Sequence, residues 1–219
     1  MKKLLTGVLL VALVASPAIA EMTITTGSYN DMTSGYGAVV YDSVLGGNYW
    51  AGEIKVTPDG GVPGTTDGVP FKTFCVETGE TLWPDKTYHA AVNTKSVQTN
   101  DPLTGGAAWL YHSYLTSTNG VVVNSDADGR DLQQAIHLAM GLTNPIGDSF
   151  SSQAQSWANQ AKATSWHKNG YISNIRILNL TNTPPADYQD ILVAVPVPGA
   201  FLLGFLGLGA AGMKLRKLA

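Results

Sequence analysis

The chain has 219 residues, with 13 Lys and Arg against 16 Asp and Glu, a formal net charge of −3 and 13% charged residues. No basic patch exists in its body, which excludes an electrostatic nucleic-acid binder. A single cysteine excludes an internal disulfide.

In chain order, residues 1–20 come first. Lys2 and Lys3 precede an apolar run, Leu4 to Val14, that is too short to span a bilayer, and Ala18-Ile19-Ala20 is a small-x-small cleavage site. This is the pattern of a secretory signal peptide, so the mature chain is expected to start at Glu21 outside the cytoplasm. Residues 21–194 suffice for one domain. Alternation and β-branched residues predict strands at 22–27, 36–44 and 46–61, the last closed by a Pro-Asp-Gly turn, with a loop at 61–68. A short buried strand lies within 69–80, with Phe71, Thr73 and Cys75 on one face and Phe74 and Val76 on the other. A turn and strand follow at 82–94. Helical spacing predicts a helix at 105–116, a polar loop feeding a second helix over 124–141 that Gly141 ends, and a third at 149–168. Strands at 172–182 and 188–195, joined by a Pro-rich turn, close the body. The expected fold is α+β: a mainly antiparallel sheet or sandwich with an inserted helical block, plus a C-terminal transmembrane helix. That helix runs from about Pro198 to Met213, roughly 24 Å at 1.5 Å per residue. Lys214, Arg216 and Lys217 follow it, and the positive-inside rule puts them on the cytoplasmic side.

The tail, 195–219, carries a motif. Val195-Pro196-Val197-Pro198-Gly199-Ala200, a Gly/Leu-rich apolar stretch and the basic stop Lys214, Arg216 and Lys217 together resemble the PEP-CTERM sorting tail of exported Gram-negative proteins, in its VPxPGA variant. Val197 stands where the glutamate of the family's name would be. The resemblance implies processing by an exosortase, a membrane protease-transpeptidase. It also implies a route through the inner membrane to the cell surface or extracellular polysaccharide.

The lone Cys75 raises the chemical question. In helix 124–141 the 3.6-residue period puts Gln133 and His137 one turn apart on a common face. Phe74-Cys75-Val76-Glu77 and Gln133-Gln134-Ala135-Ile136-His137 resemble the cysteine and glutamine motifs of the thioester domains of bacterial surface adhesins. That resemblance implies a covalent Cys75–Gln133 thioester, with Gln133 rather than Gln134 as the partner. His137 stands in the place of the family's tryptophan, and 58 residues separate the pair. Such a bond, once exposed, acylates an amine or hydroxyl of a partner. His137 is either a modulating base for that step or a packing residue. The other fates of Cys75 are a buried unmodified thiol and an intermolecular disulfide. Two functions follow: a covalent surface adhesin, or a non-covalent structural or glycan-binding matrix protein with an inert Cys75. Neither is an enzyme with turnover, and neither needs a cofactor.

The remaining motifs are weaker. Asn124, Asp126, Asp128 and Gly129 resemble a calcium loop, but Ala135 holds the twelfth position, where an EF-hand needs a bidentate glutamate. The stretch reads as an Asx-rich turn into a helix, which Asp131 can cap. His89, His112, His137 and His167 show no metal-ligand spacing. Trp157 and Trp166 read as core and rim.

Overall fold

The computed structural model describes residues 22–33, 35–42, 47–78, 80–142, 149–182 and 187–196. The elements are β1 (Thr23–Thr25), α1 (Tyr29–Met32), β2 (Gly37–Asp42), β3 (Gly47–Gly52), β4 (Ile54–Gly60), β5 (Phe71–Thr73), β6 (Thr87–Asn93), α2 (Gly105–Thr116), α3 (Asp126–Met140), α4 (Ser152–Ala163), α5 (Ser165–Asn169), β7 (Ile175–Thr181) and β8 (Asp187–Ala194). Helices and antiparallel sheet are mixed as expected, with the helical block inserted between β6 and β7.

The sheet is antiparallel as expected, but it curls on itself. Its strands run in the order β5-β4-β1-β6-β7-β8, and the two edges then approach each other. Just past β5, the Leu192 N–H donates to the Phe74 carbonyl at 3.1 Å and the Val76 N–H to the Asp190 carbonyl at 3.0 Å. Cys75 faces Ile191 across this join as an antiparallel bridge. The sheet is therefore a nearly closed barrel, and closure satisfies edge groups that an open sheet would leave unpaired. Cys75 lies on the seam.

Period-2 alternation divides the core. On β7 and β8, Leu178, Leu180, Ile191 and Val193 point into the barrel with Ile24, Val56 and Tyr88. Ile175, Ile177 and Leu192 point outward, and α2, α3 and α4 cover them. Both faces of β7 are buried, each large aliphatic side chain contributing roughly 1.5–3 kcal/mol. The strand that carries Cys75 follows its predicted alternation: Phe74 and Val76 pack under the helices, while Phe71 and Cys75 pack on the barrel cluster.

Several boundaries differ from expectation. The single strand expected at 46–61 is two, β3 and β4. Gly52 breaks it with φ +142°, and a Cβ there would stand 2.5 Å from the Tyr36 carbonyl oxygen. β3 pairs with β2 in a separate ribbon. The helix expected at 149–168 splits at Thr164, whose hydroxyl donates to the Ala161 carbonyl and accepts the His167 N–H. The helix over 124–141 starts at Asp126 under a Ser125 cap, so Asp131 is not its cap. Asp128 Oδ2 accepts the Asn124 N–H and Asp126 Oδ1 accepts the Gly37 N–H, the work of a turn and cap. No cluster of His, Cys, Asp or Glu suited to a metal occurs among the described residues. Trp157 is buried and Trp166 half-buried.

Residues 1–20 lie outside the described residues, as do Val197, Pro198, Gly199, Ala200 and the basic stop Lys214, Arg216 and Lys217. Val195 leaves β8 with its N–H on the Asn174 carbonyl, and Pro196 is exposed. No helix among the described residues is long and apolar enough to cross a membrane; the expected span, 198–213, lies outside them.

Candidate functional site

Helix α3 brings Gln133 and His137 to the seam. Its apolar stripe, Leu132, Ala135, Ile136 and Ala139, is wholly buried in the helical core. That packing fixes the helix's rotation and turns the next face, one turn of Gln133 and His137, toward Cys75. Gln134 points elsewhere and accepts the Ser151 N–H at 2.9 Å, which ties α3 to the start of α4. Gly129 allows α3 to approach the β2 ribbon, since a Cβ there would stand 1.9 Å from the Tyr36 carbonyl oxygen.

The expected pair meets. The Gln133 amide lies along the Cys75 backbone: the Cys75 N–H donates to Gln133 Oε1 at 3.0 Å, and Gln133 Nε2 donates to the Cys75 carbonyl at 2.8 Å. This two-point match fixes which end of the amide is nitrogen. Nε2 also lies 2.9 Å from His137 Nε2. As the amide nitrogen is a donor, His137 Nε2 is the acceptor, and the imidazole proton sits on Nδ1. Gln133 and His137 are 2% and 3% exposed. Burial pushes the His137 pKa down to about 4, so the ring is neutral at pH 7.

Beneath Cys75 lies an acidic group that the sequence reading did not identify as part of the site. Asp190 is fully buried. Its carboxylate accepts from the Leu180 N–H, the Val97 N–H and Asn179 Nδ2, at 3.1, 2.8 and 2.6 Å. Glu77 is also buried, and its Oε1 accepts the Thr99 N–H at 3.3 Å. Burial and the neighbouring Glu77 raise the Asp190 pKa to about 7. Burial first, then Glu77, Glu80 and Asp190, push the Cys75 thiol up to about 12. The sequence signal for Asp190 was a polar pair, Gln189-Asp190, joined to the uncharged run that ends the body. Within the strand expected at 188–195 that pair carries no sign of a site.

Chemically, this is a carboxamide held on the backbone of the cysteine residue, its oxygen already holding an N–H donor and its nitrogen facing an unprotonated imidazole nitrogen. No ion-pair partner for a thiolate and no metal-binding cluster accompanies it among the described residues. No family model matches the chain, and no curated protein matches it. Among solved structures the chain is similar to the N-terminal thioester domain of surface protein from Clostridium perfringens, with a TM-score of 0.41 and 12% identity, over 78% of this chain and 97% of that chain.

Proposed function

We propose that this is an exported cell-surface protein whose body forms an internal Cys75–Gln133 thioester and spends it once, on a surface or matrix partner. The supporting observation is the pinned amide: the Cys75 backbone holds both the oxygen and the nitrogen of the Gln133 side chain. The Cys75 sulfur attacks the Gln133 side-chain carbon, the C–N bond breaks, and the thiol proton leaves with the nitrogen as ammonia. The Cys75 N–H stabilises the oxygen as charge develops on it. A thiol near pKa 12 supplies little thiolate, so its proton has to move in the same event. His137 Nε2, against the departing nitrogen, is placed to relay it. The product acylates one partner and does not turn over, which is the behaviour of a covalent adhesin rather than an enzyme. The tail supports a sorting route through an exosortase at the inner membrane.

The raised thiol pKa favours a second reading, an inert buried Cys75 in a non-covalent matrix protein. Intact mass of the purified full chain decides between the two. The thioester predicts a deficit of one ammonia that vanishes in Cys75→Ala and in Gln133→Ala; full mass with an alkylatable thiol in the unfolded chain leaves the second reading standing.

A further inference from the structure

The chain leaves the barrel among exposed apolar side chains. At the end of β8 the Val195 N–H is held on the Asn174 carbonyl at 2.8 Å, and Pro196 is exposed. Ser173, the residue before Asn174, lines a cleft with Trp166 and Tyr171. Ala194, the residue before Val195, lines a second cleft with Val69 and Leu115. Tyr171 and Val69 are each 54% exposed, and Leu115 is 45% exposed. Large apolar side chains therefore stand in water on both sides of one exit.

Tyr171 is held outward by a fixed backbone. Its N–H donates to the Trp166 carbonyl at 2.9 Å, and its ring meets Trp166 edge to face at 5.0 Å. Gly105 lets α2 pack under this turn, since a Cβ there would stand 2.0 Å from the Trp166 carbonyl oxygen. Arg176 Nη1 holds the Ser173 carbonyl at 2.8 Å. An apolar surface kept in water by such a frame marks a place where something else docks.

Reach and charge both point to lipid. The expected membrane span begins at about Pro198, just past Pro196. The connecting residues extend roughly 7 Å at most, and the headgroup region of one leaflet is roughly 5–8 Å deep. With that span in place, the body cannot stand clear of the bilayer. The chain has 16 Asp and Glu against 13 Lys and Arg, yet no Asp or Glu lines either cleft. Lys72 lines one of them, paired with Glu53 at 2.7 Å, and Lys168 is exposed on α5, which carries Trp166. Tyrosine and tryptophan favour the headgroup level, and clefts without carboxylates meet no repulsion from anionic lipid.

We infer that this end of the barrel is seated on the phospholipid surface that holds the tail, with Tyr171, Leu115 and Val69 at the level of the headgroups. The inference rests on the reading of the tail as a membrane span and is independent of the thioester. It also orients the molecule. β8 rises roughly 17 Å from Gln189 to Ala194 at about 3.4 Å per residue, and Gln189 lines the cavity at Cys75. Seating the Ala194 end on the membrane lifts that cavity away from the lipid, together with the exposed Trp83 that lines it.

The test uses full-length protein reconstituted into vesicles of phosphatidylethanolamine and phosphatidylglycerol and recovered by flotation. A nitroxide is attached at Tyr171→Cys, Leu115→Cys or Trp83→Cys, each in a Cys75→Ala background. Its collisions with oxygen, which concentrates in lipid, are compared with its collisions with a water-soluble nickel chelate. The oxygen-to-nickel ratio at Tyr171 and at Leu115 should be severalfold that at Trp83. Val69→Cys, on a loop, repeats the measurement where Tyr171→Cys disturbs its turn. A protein that floats while every label shows the same low ratio overturns the inference and leaves the tail as a plain anchor under a body that stands clear. A ratio at Trp83 as high as at Tyr171 overturns seating by this end. A protein that does not float refutes the membrane span and, with it, the inference.

Discussion

Replacing Gln133 by alanine should cost far more stability than replacing Cys75, although both substitutions abolish the thioester. In the reacted chain the bond closes a loop across 58 residues of separation. By the chain-entropy relation for cross-links this is worth about 4 kcal/mol. The reacted form lacks the two Nε2 hydrogen bonds, so the net advantage over Cys75→Ala falls to about 2 kcal/mol. Cys75→Ala keeps the pinned amide, because every bond to Gln133 from residue 75 comes from backbone. Gln133→Ala removes it, leaving the Cys75 N–H, the Cys75 carbonyl and His137 Nε2 without that partner beside a small cavity. At roughly 1–3 kcal/mol for each orphaned group, discounted for water entering the gap, Gln133→Ala should lie about 3 kcal/mol below Cys75→Ala. Urea unfolding followed by tryptophan fluorescence, with intact mass recorded on the same samples, measures both steps. Equal midpoints for the two variants would mean that the Gln133 amide does not hold the Cys75 backbone, and would remove the positional argument for the reaction.

Acid sensitivity should follow His137. Its pKa lies near 4 when folded against an ordinary 6.5. The folded state therefore disfavours the proton, and this contribution is complete above about pH 6.5 and is lost as the pH falls toward 4. The loss is on the order of 3 kcal/mol. Asp190 has the opposite sign. With its pKa raised from 3.8 to about 7, its contribution is complete below about 3.8 and is lost as the pH rises to 7. In the wild type the two oppose each other between pH 4 and 6.5. His137→Gln should leave Asp190 alone, so its urea midpoint should rise from pH 7 to pH 5 while that of the wild type, where the two offset each other, changes little; a midpoint as flat as that of the wild type refutes the assignment. In the tail, changing both Pro196 and Pro198 to Ala should leave an unprocessed precursor in the inner-membrane fraction. Normal release of that variant, read on an immunoblot of fractions, argues against exosortase sorting.

Much of this site was legible in the sequence because it depends on local periodicity. The helix 126–140 is amphipathic, so its rotation, and with it the pairing of Gln133 with His137 and the exclusion of Gln134, follows from which residues are apolar. The alternation around Cys75 was likewise readable. The seam was not. Closure joins Cys75 to Ile191, and no local pattern encodes a contact across so much chain. Asp190 was missed for the same reason: its three donors come from Val97, Asn179 and Leu180, on other strands and a loop. The break at Gly52 was also hidden, because a glycine within a strand-like run shows its positive φ only once the Tyr36 carbonyl stands against it.

The acidic residues below Cys75 work against forming a thioester, since they hold the thiol protonated. They act in the opposite sense once the bond exists. A thiol leaves more slowly from an acyl carbon as its pKa rises, and Glu77 is the carboxylate with the largest effect on Cys75 after burial itself. Glu77→Gln keeps an oxygen for the Thr99 N–H and removes the charge. The Cys75 pKa should fall from about 12 toward its ordinary value of 9.0, making Cys75 a better nucleophile and a better leaving group. Two consequences follow. The ammonia deficit should appear sooner after synthesis, and it should decay sooner in storage, as water adds to the thioester and the mass rises by one water. A time course of intact mass at pH 7 for the two proteins separates these phases. Faster formation with unchanged decay would show that water does not reach the carbonyl and that burial of Gln133, rather than the acidic pair, preserves the bond. Slower formation would show that Glu77 assists the proton transfer, and would overturn the view that it only holds the thiol in check.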